Sequence, residues 1–82
     1  MLKVETRRPN YIVVSNNYNV VTAFSYDTPI VSRIDNKIIL HTAWAYSSTT
    51  GKHRNDFLGE GIAETRKKLL KGEYTLKPYE EM

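Results

Sequence analysis

Hydrophobic positions recur with a period of two through the first half of the chain and with a helical period through the second. Tyr11-Ile12-Val13-Val14 is a run of β-branched and aromatic residues that reads as a strand, ended by the polar loop Ser15-Asn16-Asn17-Tyr18-Asn19. Residues 20–26 form a second strand, with Val20, Thr22, Phe24 and Tyr26 on one face and Val21, Ala23 and Ser25 on the other. Asp27-Thr28-Pro29 breaks the pattern, and Pro29, which cannot donate to a ladder, suits a strand start or an edge. Residues 30–34 are a third strand. Asp35-Asn36 makes a tight turn, because both residues tolerate a left-handed backbone. Residues 37–42 are a fourth strand, forming a hairpin with the third. Residues 1–10 read as an N-terminal arm or short strand.

The period changes near residue 48. In Ser47-Ser48-Thr49-Thr50, Thr49 or Ser48 is expected as an N-cap, its hydroxyl accepting a free amide of the first turn. A helix is expected over residues 50–58, with His53 and Phe57 four apart on one face and Leu58 beside them. Gly59-Glu60-Gly61 interrupts it. A second helix over residues 62–71 carries a narrow apolar stripe of Ile62, Ala63, Leu69 and Leu70 that also takes in Arg66. Glu64 and Lys68 are placed to pair at i,i+4, and Gly72 is a suitable terminator. Residues 74–79 could dock as an extended segment, and residues 80–82 are expected to fray. The fold class is therefore α+β: one domain, with an antiparallel β-meander of three to four strands over residues 11–46, two short C-terminal helices packed on the sheet over residues 49–72, and a tail over 73–82.

Composition narrows the function. A chain of 82 residues has a thin core. Cysteine is absent and the two histidines, His41 and His53, are too few for a structural zinc site, so a homodimer is the expected means of support. No cofactor is implied. The N-terminus lacks the apolar stretch of a signal peptide, and no apolar run approaches a membrane span, which takes about 20 residues; no membrane partner is expected. Twelve Lys and Arg against nine Asp and Glu give a net charge of +3 and a pI near 9.3, which keeps nucleic acid open as a partner.

Four groups of residues could carry chemistry. A helix starting near Thr50 would aim free amides and its positive dipole end at Ser48 and Thr49, with Lys52 and Arg54 close by, an arrangement suited to an anion or phosphate; the upstream glycine of a P-loop is missing, which argues against nucleotide hydrolysis. His53 is the acid–base candidate, yet Ser47, Ser48, Asp56 and Glu60 stand at no spacing that assembles a triad, so no catalytic residue is assigned and the protein is read as a non-enzyme. Arg66-Lys67-Lys68 and Lys71 suit the negative end of a helix and could also follow a nucleic-acid backbone. Nine aromatics (six Tyr, two Phe, one Trp) exceed what so thin a core can hold. If the segment through Trp44 and Tyr46 is extended, both face one way just before the helix, as on a protein interface.

The runs Ser25-Tyr26-Asp27-Thr28-Pro29-Ile30-Val31 and Trp44-Ala45-Tyr46-Ser47-Ser48-Thr49-Thr50-Gly51-Lys52-His53-Arg54-Asn55-Asp56-Phe57-Leu58 resemble a group of small, largely uncharacterised bacteriophage proteins. These carry an S-Y-x-T-x-[IV] strand followed by W-x-Y-S-x-T-T-x-[KR]-[HY]-x-x-x-F-L. Gly61 to Lys68 and Gly72-Glu73-Tyr74 look like versions from phages of lactic-acid bacteria, and the likeness covers roughly residues 20–76. It implies a phage protein acting in the host cytoplasm, where proteins of this size bind nucleic acid or block host machinery and defences. The expected function is binding or inhibition of a host protein, with Trp44, Tyr46, Lys52, His53 and Arg54 as candidate contacts. The alternative is nucleic-acid binding through Lys52, Arg54, Arg66, Lys67, Lys68 and Lys71.

Overall fold

Non-glycine residues with a left-handed backbone stand at three hairpin turns: Asn10 (φ 68°), Tyr26 and Asp27 (52° and 65°), and Asp35 and Asn36 (48° and 71°); all but Tyr26 are Asn or Asp, which accept it. The structure, a computed structural model, describes residues 2–16 and 19–81; Asn17 and Tyr18 of the expected polar loop, and Met82 of the tail, lie outside the described residues. The turns join β1 (Lys3–Arg8), β2 (Tyr11–Ser15), β3 (Val20–Ser25), β4 (Thr28–Ile34) and β5 (Lys37–Leu40) into an antiparallel meander. α1 (Ser48–Leu58) and α2 (Ile62–Leu70) follow, and β6 (Tyr74–Leu76) then pairs in parallel with β5. A parallel neighbour needs such a long crossover. A 3-10 turn over Tyr79–Glu81 ends the described chain.

The α+β class and the two helices hold, but the sheet has six strands in sequential order, not three or four. The extra two lie at the edges. Every residue of β1 is exposed, and Lys3, Glu5, Arg7 and Arg8 give it a charged edge that keeps other chains from pairing there; that same charge hides it from a hydrophobicity pattern. β6 has three residues, too few to show a period. Pro29 sits second in β4, which is a central strand. Its missing N–H is tolerated because it faces Phe24 at a register shift and the β5 ladder begins only at Val31. β5 stops at Leu40, since the His41 amide bonds to Ile30 O and the Trp44 amide turns back to His41 O.

The register puts Tyr11, Val13, Ala23, Val31 and Leu40 on one face of the sheet. All five are buried, and with Ile30 and Phe57 of α1 they form the core; Val21, Ile38, Trp44, Leu58, Leu69 and Tyr74 close around it. Burying one such large side chain contributes about 1.5–3 kcal/mol. Arg33 fastens α1 to this face, its guanidinium 4.9 Å over the Phe57 ring and bonded to Phe57 O.

α2 meets the sheet at β6 rather than over its middle, and the expected apolar stripe is not its buried face. Thr65 is its one buried residue, Leu69 is half-buried, and Ile62 and Leu70 are 40% and 88% exposed. Lys68 pairs not with Glu64 but with Glu60, 2.7 Å away. Glu60 reaches it from the linker and also accepts from Thr65 and Tyr74.

Candidate binding surfaces

Residues 42–45 form a turn, not an extended strand. Trp44 and Tyr46 therefore do not make one platform. Trp44 packs against the core, whereas Tyr46 stands 83% exposed. The N-cap of α1 is Ser47, one residue before the expected pair: its extended backbone (φ −149°) lets its Oγ accept the Thr50 amide at 3.2 Å. No acidic residue stands in the first turn of α1.

His53 and Arg54, both expected at a contact surface, are buried. His53 stacks on Tyr11 with ring centroids 4.7 Å apart, and its Nδ1 shares a 2.8 Å hydrogen bond with Ser25 Oγ, which also meets Thr50 Oγ1 at 3.3 Å. Burial is the main cause that lowers its pKa; the charge of Arg8 adds to it and Asp56 opposes it. Ser25 and Thr50, with Tyr26, Thr28 and Tyr46, line a depression beside the helix start. Ser25 is itself buried, and it is held at the end of β3 by its pairing with Tyr11 and Thr28. His41 closes a second chain. Its Nδ1 donates to Lys77 O and its Nε2 accepts from Ser32 Oγ, which meets Thr22 Oγ1 at 2.7 Å.

Arg54 is 2% exposed. It donates to Trp44 O and to Asn55 Oδ1, and among the described residues its Nε has no partner and no carboxylate forms an ion pair with it. Burial lowers its pKa, as does Arg66, while Glu60 acts in the opposite sense. Arg54 and Arg66 both lie over the Trp44 ring, at 5.5 and 6.0 Å. The six cations of the nucleic-acid reading thus divide: Arg54 is buried, Lys68 is held by Glu60 and lies over Tyr74, and Lys52, Arg66, Lys67 and Lys71 are exposed. Among the described residues no group of three or more acidic, His or Cys side chains could hold a metal ion, and no helix is long and apolar enough to cross a membrane.

The other face of the sheet is the surface that sequence reading missed. The register places Val4, Ile12, Val14, Val20, Phe24, Ile34 and Ile39 there, around the buried polar pair Thr22 and Ser32 at its centre, and none of the seven apolar residues belongs to the core. Tyr79 covers part of it, 6.0 Å from Phe24 and 5.3 Å from His41. Leu2 and Val4 are 68% and 59% exposed, and Leu2, Val14, Val20, Thr22 and Tyr79 line a shallow depression.

Family comparison gives one match: a family of unknown function, DUF8033, covers residues 3–74. The chain belongs to DUF8033. No curated protein and no solved structure matches it. The DUF8033 region takes in β1 to α2 and the first residue of β6, so it holds both the helix start with Arg54 and nearly all of the helix-free face. A signal for that face did exist in this DUF8033 chain. Tyr11-Ile12-Val13-Val14 and Ile38-Ile39-Leu40 are apolar at successive positions, so both faces of these strands are apolar, whereas a sheet with one solvated face alternates. Two short helices cover only one side.

Proposed function

We propose that this protein is a non-catalytic binding protein that seats a different protein on the helix-free face of its sheet. The observation that carries the reading is the unmatched apolar face. Ile12, Val14, Val20, Phe24, Ile34 and Ile39 lie opposite the helices, outside the core, and the 3-10 turn at Tyr79 covers only part of them. These six are half-buried, and Leu2 and Val4 beside them are exposed; contiguous apolar surface of this kind marks an interaction site. The net charge of +3 matches a partner with an apolar patch set in acidic surroundings. The resemblance of the two sequence runs to small phage proteins supports a phage-encoded factor that acts in the host cytoplasm on a host protein, in host takeover or against host defence. The nucleic-acid reading is weaker, since Arg54 is buried and Lys68 is neutralised by Glu60.

Paired variants in a host-lysate pull-down test this. Leu2→Glu/Val4→Glu changes two exposed residues of the face and leaves the core intact. A host protein retained in stoichiometric amount by the wild type and by Lys67→Glu/Lys71→Glu, but lost with Leu2→Glu/Val4→Glu, is the expected result. Unchanged retention by the face variant, or a sedimentation profile in which this face is consumed by a second copy of the chain, would overturn it.

A further inference from the structure

The helix side of the molecule carries a separate feature that protein binding on the sheet does not use. A depression of about 440 Å³ opens at the start of α1, bordered by Ser47, Ser48, Gly51, Lys52, Arg54 and Ile62, and no carboxylate lines it. The Thr50 amide is taken by Ser47 Oγ and the Gly51 amide by Ser47 O. The amides of Ser48 and Thr49 are left without an acceptor, and they sit at the positive end of an 11-residue helix with no acidic residue in its first turn.

A helix start alone is common. Arg54 is the second, independent observation. A buried guanidinium is ordinarily balanced by a carboxylate. This one is 2% exposed, and among the described residues it forms no ion pair: its Nη atoms donate only to the neutral Trp44 O and Asn55 Oδ1, and Nε is unbonded. Position 51 is glycine, and a Cβ there would stand 3.4 Å from Arg54 Nη2, in van der Waals contact with the guanidinium. Arg66, whose guanidinium also lies over the Trp44 ring, adds positive charge rather than cancelling it.

We infer that this depression is a binding site for a phosphate group, held by the free amides of Ser48 and Thr49, the hydroxyl of Ser48, and Lys52, with Arg54 supplying the buried counter-charge; the Ser47 hydroxyl is committed to Thr50. Several donors converging on one tetrahedral anion is the geometry of phosphate sites at helix starts. The volume leaves room for the group that carries the phosphate, so free phosphate and a nucleoside monophosphate are both admissible sources. The site is independent of the sheet face.

The test is an amide-detected NMR titration of the full chain with inorganic phosphate, and separately with a nucleoside monophosphate, at constant ionic strength against chloride. Saturable shifts at Ser48, Thr49, Gly51 and Lys52 and at the Arg54 Nε–H are expected. Equal affinities would mean that the site takes the phosphate alone; tighter nucleotide binding would mean that the rest of the molecule contributes. Ser48→Pro removes one amide donor without harming the helix, because proline is favoured at the first helical position and Ser47 is already extended. Ser48→Pro and Lys52→Ala are each expected to weaken binding about fivefold, roughly 1 kcal/mol. Lys37→Ala, at the start of β5, and Leu2→Glu/Val4→Glu are expected to leave it unchanged. Shifts that do not saturate, that chloride reproduces, or that Ser48→Pro and Lys52→Ala do not alter would overturn the inference.

Discussion

The Ser25 hydroxyl and Nδ1 of His53 lie 2.8 Å apart, both buried, and join the end of β3 to the middle of α1. This bond holds the helix start over the sheet, since Ser25 also meets Thr50 in the first turn of α1. Ser25→Ala would leave a buried imidazole nitrogen without its partner. The expected loss is about 1–3 kcal/mol of unfolding free energy, read by urea denaturation. A loss smaller than that of an exposed serine such as Ser48→Ala would contradict the role.

Acid should weaken the fold through the two histidines. Burial is the leading cause that holds His41 and His53 below their ordinary value of 6.5; Lys77 O and Glu80 oppose it at His41, and at His53 Arg8 reinforces it while Asp56 opposes it. The folded protein therefore binds each imidazole proton more weakly than the unfolded chain does. Their contribution is complete above about pH 6.5 and is lost as pH falls through the folded-state values. Melting temperature should drop between about pH 7 and pH 5, and the drop should be smaller in His41→Gln/His53→Gln. A flat wild-type profile over that range would contradict this.

Much of this architecture is legible in the residues. Asp35-Asn36 marks the β4–β5 hairpin, and both residues take positive φ. Gly59 and Gly72 end their helices at φ 71° and 82°. The expected binding cluster was not legible, because its members are separated by depth rather than by sequence. Trp44, His53 and Arg54 turn inward while Tyr46 and Lys52 turn out, and that depends on a turn at residues 42–45 that the apolar pattern disguises as strand. Glu60 was equally hidden. Its partners Thr65, Lys68 and Tyr74 lie 5, 8 and 14 residues away, and only the fold brings them to one carboxylate.

Glu60 acts as the clamp between α2, β6 and the interhelical linker. Burial alone would raise its pKa, but the hydrogen bonds from Lys68, Thr65 and Tyr74 together outweigh that and lower it. Glu60→Ala strands the fully buried Thr65 hydroxyl, apart from its long bond to Gly61 O, and releases Tyr74. The expected cost is about 2 kcal/mol, with faster hydrogen exchange confined to α2 and β6. Uniform exchange across the sheet would contradict a local clamp.

Gly59 closes α1 with its amide bonded to Asn55 O at 2.8 Å, in a left-handed conformation. Space is not the constraint, since nothing stands within 4 Å of an added Cβ. Gly59→Ala should therefore cost about 1 kcal/mol, through backbone strain alone. Gly59→Asn should recover part of it, because asparagine tolerates this region. Equal stability of the three variants by thermal denaturation would contradict the assignment.

The most direct measurement of the central claim is a methyl NMR titration of the protein with the purified partner from the pull-down. The account predicts shifts at the methyls of Val4, Ile12, Val14, Val20, Ile34 and Ile39, on the helix-free face, with Val13, Val31 and Leu40 of the core unmoved. Shifts centred instead on the methyls of Ile62, Ala63 and Leu70 of α2, beside Arg66, Lys67 and Lys71, with the sheet methyls silent, would contradict it.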